Sequence, residues 1–220
     1  MKSLFVIFLM IFLGACSSSR FVKPLNKNER AVAGSFGGPI IKQFGAAIPI
    51  PFLTIGGGYG IDSSLTVHGA MNLTSGLFGN MQIELGCTKN LLNQKNKMPG
   101  VSIAPQINFI SHLKPAVINI YPQLDLNAYW EYGTKKNLFY VGTLNWFELQ
   151  NKKAHNLKQE NRWIFAPQIG HTFNCRLLKF NAELKYIAPF TRNDYIVVDY
   201  LSPTKGNGAL GIYFGVTKIF

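Results

Sequence analysis

The chain has 220 residues, of which 47 % are hydrophobic and 15 % charged, and its formal net charge is +12. The charged fraction lies below the ~25 % typical of soluble domains, and a mean hydropathy of +0.10 is too low for a helical membrane protein. The Lys and Arg residues are scattered and no nucleic-acid motif accompanies them, so we expect basic turns beside anionic lipid and no nucleic-acid partner.

The first sixteen residues, MKSLFVIFLMIFLGAC, have the layout of an exported precursor. Lys2 precedes an apolar stretch at 4–13 that is too short to span a bilayer. The sequence LGAC at 13–16 resembles the lipobox of bacterial lipoproteins, in which the peptide is cut before the Cys and the Cys is lipidated. The resemblance implies a lipoprotein signal peptide over 1–15 and an outer-membrane lipid anchor on Cys16. The alternative is a buried Cys after an ordinary signal peptide.

Residues 17–30, SSSRFVKPLNKNER, are polar, basic and without a hydrophobic period. Together with Cys16 they predict a lipidated, flexible tether over 16–30, followed by a folded domain over 31–220. Ser17 and Ser18 follow the Cys with no acidic residue, which resembles outer-membrane sorting of lipoproteins.

The clearest strand is 117–130, VINIYPQLDLNAYW. Its even positions from Ile118 to Trp130 are apolar, and its odd positions from Asn119 to Tyr129 are polar or amphipathic. Period two is typical of a strand with two unlike faces. Because the polar face carries amides and tyrosines rather than Lys and Glu, the pattern suits a membrane barrel with lipid outside and a polar lumen.

Similar alternation recurs along the whole domain. Two early candidates are rich in Gly and Pro, and a Pro within a strand indicates an edge or a bulge. The pattern predicts an all-β protein, an antiparallel up-and-down β-barrel of about ten strands. The candidate strands are 31–41, 46–60, 64–73, 77–88, 100–111, 117–130, 137–149, 162–174, 177–188 and 208–220.

The last candidate strand, GALGIYFGVTKIF, resembles the C-terminal strand of outer-membrane barrels. Ile212, Phe214 and Val216 alternate in step with the terminal aromatic residue, Phe220. Lys218 departs from the pattern, since an apolar residue is usual at that position.

Six charged residues fall on polar faces and are predicted to point into the lumen. Because the interior of a small barrel is just filled by side chains, we expect them to pair and plug it. The alternative is an ion-selective path. The six are Glu84, Asp125, Arg162, Lys179, Glu183 and Lys185.

Histidine and cysteine spacing indicates no metal site and no cofactor. His68 is predicted to be a hydrogen-bonding residue of the lumen, and His171 an interfacial side chain on the apolar face. Cys87 and Cys175 fall on strands far apart, so two separate thiols are expected rather than a disulfide. No nucleophile–base arrangement is readable, and the chain is predicted not to be an enzyme.

Three functions remain open at this point. The first is a lipid-anchored outer-membrane barrel with a structural or interaction role, whose partners are membrane lipid and other envelope proteins. The second is a periplasmic, lipocalin-like barrel that binds an apolar ligand, and the third is a barrel enzyme acting on lipid or peptide. Period two cannot separate the first two, because an inside-out barrel has the same period. The low charge content and Phe220 favour the first.

Counting turns places both chain ends on one side of the membrane, which the lipid anchor makes the periplasmic side. The turns at 62–63, 132–136 and 175–176 then lie in the periplasm, and the connections at 150–160 and 189–207 lie outside. The same count places the long connection at 89–98 in the periplasm, where connections are normally short. We therefore expect that one of the early strands is miscounted.

Overall fold

The computed structural model describes residues 21–43, 45–113, 116–150, 161–193, 198–204 and 206–220. The lipobox, Cys16 and the first part of the tether lie outside these ranges. Eleven strands and one short helix, α1 (Leu73–Leu77), are found in the described part of the chain. The strands are β1 (Arg30–Gln43), β2 (Ala46–Pro49), β3 (Phe52–Asp62), β4 (Leu65–Asn72), β5 (Asn80–Leu92), β6 (Gly100–Leu113), β7 (Ala116–Tyr132), β8 (Asn137–Phe147), β9 (Trp163–Cys175), β10 (Leu178–Arg192) and β11 (Asn207–Ile219).

Ten of these strands form a closed antiparallel barrel, which confirms the predicted fold. β1 pairs with β3 on one side and with β11 on the other, where the register runs from Ala31 opposite Ile219 to Pro39 opposite Gly211. β2 pairs only with the last residues of β1, from Ile40 to Gln43, and forms a hairpin with them. The candidate strand 46–60 is therefore two strands, since Pro49 and Pro51 interrupt the ladder by lacking an N–H.

Because side chains alternate between the two faces of each strand, this barrel has a polar interior and an apolar exterior. On β7, Gln123, Asp125 and Asn127 are buried, whereas Leu126 between them is 39 % exposed. The other strands contribute buried Thr, Ser, Asn, Gln, His, Glu and Lys side chains to the interior. Large apolar side chains on the outer surface include Val67, Met71, Leu85, Ile107, Val141, Ile169, Leu184, Phe214 and Val216.

β8 departs from this rule, because its apolar face points into the barrel. Leu144 and Trp146 are buried there against Ala166 and Tyr213. Tyr121 stacks on Trp146 with a 5.2 Å centroid separation. The interior is thus partly an apolar core, which an alternating pattern on a single strand cannot reveal.

The start of β1, the end of β11 and the turns after β3, β5, β7 and β9 lie at one end of the barrel, here called the terminal end. α1, the end of β8 and the end of β10 lie at the opposite end. The relative placement of the predicted turns is correct. The number of strands that cross the barrel was also correct, since β2 lies outside it; β5 continues to Leu92, so the connection at the terminal end is only 93–99. Within the described residues, no helix is long and apolar enough to cross a membrane.

Residues 21–29 do not behave as the predicted flexible tether, because they pack into the terminal end of the lumen. Phe21, Val22 and Leu25 are only 7, 5 and 3 % exposed. The Leu25 N–H donates to Thr66 Oγ1 at 2.7 Å, and Ser102 Oγ donates to the Val22 carbonyl at 2.5 Å. Three apolar side chains within five residues supply the burial that fixes this segment, here called the plug.

The glycines of β3 make room for the plug. A Cβ on Gly58 would lie 2.7 Å from the Phe21 ring, and one on Gly60 would lie 2.0 Å from the Asn26 carbonyl oxygen. Gly58 and Gly60, in the run GGGYG at 56–60, therefore let the plug approach β3 closely. A Gly within a strand indicates close approach of another group, but the sequence does not say which group approaches.

At the opposite end, residues 198–204 extend the barrel wall beside β1. The Lys42 N–H donates to the Asp199 carbonyl at 2.7 Å, and the Leu201 N–H donates to the Ile40 carbonyl at 2.8 Å. Tyr200 is buried with Ile41 and Ala209, and this burial raises the pKa of Tyr200 to about 12. The plug thus fills the terminal end of the lumen, and residues 198–204 lengthen the wall at the other end.

Candidate functional site: the barrel interior and its mouth

A buried ion pair lies at the centre of the barrel. Lys185 Nζ is 3.2 Å from Glu183 Oε1 on the same face of β10, and both side chains are completely shielded from solvent. Tyr140 on β8 donates its hydroxyl to Glu183 Oε2 at 2.6 Å. The Lys185 ammonium also lies 5.3 Å from the centroid of the Tyr213 ring, where a cation is attracted to the π face.

Two further carboxylates lie nearby. Glu84 and Asp125 are 4 and 2 % exposed, and Asp125 is within electrostatic range of Lys185, Glu183 and Glu84. Gln123 Nε2 donates to Asp125 Oδ1 at 2.9 Å. Four of the six predicted lumen charges therefore come together, with Glu183 and Asp125 near Lys185, and Glu84 near Asp125.

The other two predicted lumen charges lie elsewhere. Arg162 is exposed, one residue before β9, so it does not face the lumen as predicted. Strand alternation does not fix a side chain's direction where the strand has not yet begun. Lys179 does face inward, but at the terminal end, near Lys23, Glu29 and Glu131 rather than near Lys185.

A row of amides crosses four neighbouring strands. Asn72 donates to Gln82 at 3.3 Å, Gln82 to Asn108 at 3.3 Å, and Asn108 to Gln123 at 3.2 Å. Gln123 then reaches Asp125, so the row ends at the carboxylate cluster. The alternation along a single strand cannot reveal this connection, because the row depends on the register between strands.

A cavity of about 60 Å³ lies at the mouth of the barrel, between the plug and the wall. Lys23 crosses its edge and pairs with Glu131 at 2.7 Å. The plug residues Phe21, Val22 and Leu25 form one side. The wall residues that line it are Glu131, Lys136, Leu138, Thr172, Asn174, Lys179, Asn181 and Thr217.

The predicted histidine environments are correct. His68 is 7 % exposed inside the barrel, with its Nε2 3.3 Å from the Thr88 hydroxyl oxygen. His171 lies on the outer face, where Tyr132 and Phe173 flank its ring. Cys87 and Cys175 are free thiols. No cluster of three His, Cys, Asp or Glu residues that could hold a metal ion is found among the described residues.

Aromatic side chains mark both edges of the apolar exterior. Trp130 with Phe139, and His171 with Phe173, lie near the terminal end, whereas Trp163, Phe165 and Phe190 group near the other end. On β9, ten residues separate Trp163 from Phe173. At about 3.3 Å per residue and a strand tilt of about 40°, that distance spans roughly 25 Å along the barrel axis.

No family model matches the chain, and no curated protein sequence matches it. Among solved structures, it is similar to the translocator domain of the autotransporter NalP from Neisseria meningitidis, with 9 % identity, a TM-score of 0.44 and coverage of 100 % of this chain and 95 % of that one. It is also similar to the outer membrane protein OprG from Pseudomonas aeruginosa (14 % identity, TM-score 0.33, coverage 90 and 99 %). A third is the outer membrane protease OmpT from Escherichia coli (10 % identity, TM-score 0.39, coverage 93 and 99 %).

Proposed function

We propose that this chain is a bacterial outer-membrane β-barrel protein, additionally held by a lipid on Cys16, with a structural or interaction role. The observation that carries the proposal is the barrel's polarity. Amides, hydroxyls and charges are buried inside, while aliphatic and aromatic side chains cover the outside. A closed barrel satisfies its backbone hydrogen bonds internally, which is what a bilayer requires of a spanning sheet.

The exterior matches a bilayer in extent as well as in chemistry. The distance between the two aromatic edges, roughly 25 Å, equals the height of the apolar band on membrane barrels. In water, an apolar surface of this size would promote association, because monomeric soluble proteins rarely expose apolar patches beyond a few hundred Å². Lipid is the environment that this surface suits.

The lipocalin-like alternative needs an apolar lumen for its ligand, and the lumen here does not provide one. Gln82, Glu84, Asn108 and Asp125 are all buried inside it. The apolar part of the interior, around Leu144 and Trp146, is filled by the protein's own side chains. A soluble carrier of an apolar ligand is therefore disfavoured.

The plug and the central cluster obstruct the lumen at two levels. Tyr129, Tyr140, Tyr213 and Lys185 are all essentially unexposed within it. We therefore propose that the barrel does not conduct, and that its connections present surfaces to other envelope proteins.

Anchoring through Cys16 is supported by the LGAC motif and by the position of the plug. Five Cα–Cα steps separate Cys16 from Phe21, a reach of roughly 17 Å for extended chain. Because Phe21 lies inside the terminal end, a lipid on Cys16 would enter the leaflet that surrounds that same end. The terminal end would then face the periplasm.

Membrane fractionation combined with cold SDS gels tests this proposal. We expect the wild type to fractionate with outer membranes and to migrate anomalously unless heated, as folded barrels do. Cys16→Ser should remove the lipid yet leave the protein in the membrane, because the barrel itself spans the bilayer. Cys175→Ser, at an exposed thiol, is the matched control. Complete release of the Cys16→Ser protein into the soluble fraction would overturn the spanning barrel and favour a lipid-anchored soluble one.

A further inference from the structure

We propose that the cavity at the mouth of the barrel binds a small phosphate-like anion. The site is formed by the wall of the barrel and the plug, so it does not depend on insertion in a membrane. Its charge, its hydrogen-bonding groups and its size each restrict the ligand.

Strand register brings the binding groups together. Lys179 on β10 is the cross-strand partner of Asn174 on β9 and of Thr217 on β11. Two residues further along, Asn181 is the partner of Thr172. All five line the cavity. The wall therefore presents one ammonium, two amides and two hydroxyls from three adjacent strands.

The cavity carries an excess of positive charge. Three lysines line it against one carboxylate, and that carboxylate, Glu131, pairs with Lys23. Lys136 and Lys179 make no ion pair within 4.0 Å in the described part of the chain. Glu29 is near Lys179, but its two oxygens accept hydrogen bonds from Asn26. Two ammonium groups thus remain for an anion.

The two asparagines are held in place by the wall of the barrel. Asn181 donates its amide N–H groups to the Tyr140 and Thr172 hydroxyls, and Asn174 donates to the Lys136 carbonyl. These bonds fix the polar side chains of the wall around the cavity, and the lysine ammonium groups supply the positive charge that an anion requires.

Phosphate and sulfate both suit two ammonium groups, because each is a compact tetrahedron of oxygens that carries negative charge. The volume is also appropriate. A water needs roughly 10–15 Å³ on the measure used for cavities, so a cavity of about 60 Å³ holds a few waters or one ion of this size.

Calorimetric titration of the full-length protein in detergent, with inorganic phosphate or sulfate at pH 7.5 and constant ionic strength, tests the site. We expect both anions to bind, because both are compact oxyanions. Lys179→Met and Lys136→Met should each weaken phosphate binding at least tenfold. Lys135→Met is the matched control, because Lys135 lies in the same turn but does not line the cavity, and we expect it to leave binding unchanged.

Each result bears on the proposal. If Lys179→Met fails to give a heat-modifiable barrel, Lys136→Met alone decides, since Lys136 lies at the exposed rim. No measurable phosphate binding at millimolar concentration would overturn the site. Equal losses in Lys135→Met and Lys136→Met would mean that binding reflects only the general positive charge of this end.

Discussion

The Tyr140 hydroxyl donates to Glu183 Oε2 at 2.6 Å, although a complete strand, β9, lies between β8 and β10. The residue on β9 that pairs with both Tyr140 and Glu183 is Gly170. A Cβ there would lie 2.3 Å from the Tyr140 hydroxyl oxygen. The missing side chain at Gly170 lets the Tyr140 ring lie across the strand and hydrogen-bond a carboxylate two strands away.

Removing this hydrogen bond should destabilise the barrel. Tyr140→Phe leaves Glu183 without one donor to a buried charge, for which we expect a loss of about 1–3 kcal/mol in unfolding free energy. The measurement is urea unfolding in lipid vesicles, followed by the fraction that remains folded on cold SDS gels. Tyr59→Phe is the control, because the Tyr59 hydroxyl hydrogen-bonds Asn28 at an exposed position. Equal effects of the two variants would contradict a special role for the buried pair.

The lysine of the central cluster should matter more than any one of its carboxylates. Lys185→Met removes the ammonium beside the buried Glu183 and Asp125, and we expect a loss of about 3–5 kcal/mol. Glu183→Gln should cost less, since Lys185 keeps Asp125 nearby. The same urea assay compares the two variants. A larger loss for Glu183→Gln than for Lys185→Met would show that the carboxylates are not held by this one ammonium.

The plug should be displaced by a single methyl group. Gly60→Ala places a Cβ against the Asn26 carbonyl, so the plug must shift and the Leu25 N–H must lose its bond to Thr66. We expect faster hydrogen exchange at the Leu25 amide, measured by mass spectrometry or NMR. Gly34→Ala is the control, because its nearest atom would be 3.9 Å away. Unchanged exchange in Gly60→Ala would mean that the plug is not held against β3.

The two ends of the barrel should be distinguishable on intact cells. The turn at 133–136 belongs to the terminal end, whereas the connection between β8 and β9 belongs to the other end. An epitope tag at Asn156, itself outside the described residues, should be reached by antibody on intact cells. A tag at Thr134 should require permeabilised cells. Reversed labelling would overturn the proposed orientation, and equal masking of both tags would indicate a periplasmic protein.

Conductance across planar bilayers should stay near zero. The plug and the buried tyrosines 129, 140 and 213 obstruct the lumen, and Glu183→Gln widens none of these obstructions. Both the wild type and this variant are therefore expected to give no steady current. A steady cation- or anion-selective current from the purified wild type would contradict a sealed lumen.

Much of the fold was readable from the chain alone, because strand alternation is a local property. The polar and apolar faces of β7 and β10 came out as predicted, and so did the barrel of ten strands. Segments with weaker alternation gave the errors. The apolar face of β8 points inward, and Pro49 and Pro51 divide the candidate strand 46–60 into β2 and β3.

The candidate site was less accessible to prediction. The alternation along each strand was enough to assign four charged residues to the lumen: Glu84, Asp125, Glu183 and Lys185. Only the register between strands showed that they lie near one another. Arg162 was wrongly assigned to the lumen because it lies one residue before β9, where strand alternation no longer fixes the direction of a side chain. The cavity at the mouth was not anticipated, since residues 17–30 resemble a tether in composition.

The sequence by itself determined that this chain alternates in polarity along many short strands, because period two follows from strand geometry and needs no knowledge of neighbours. It could not determine which face is enclosed, since a barrel and its inverse have the same period. Only the direction in which the closed sheet curves, seen in the tertiary structure, put the amides and charges inside and the aliphatic side chains outside. Closure also gave Phe21, Val22 and Leu25 a surface to bury against, and so turned a basic, unpatterned segment into part of the fold.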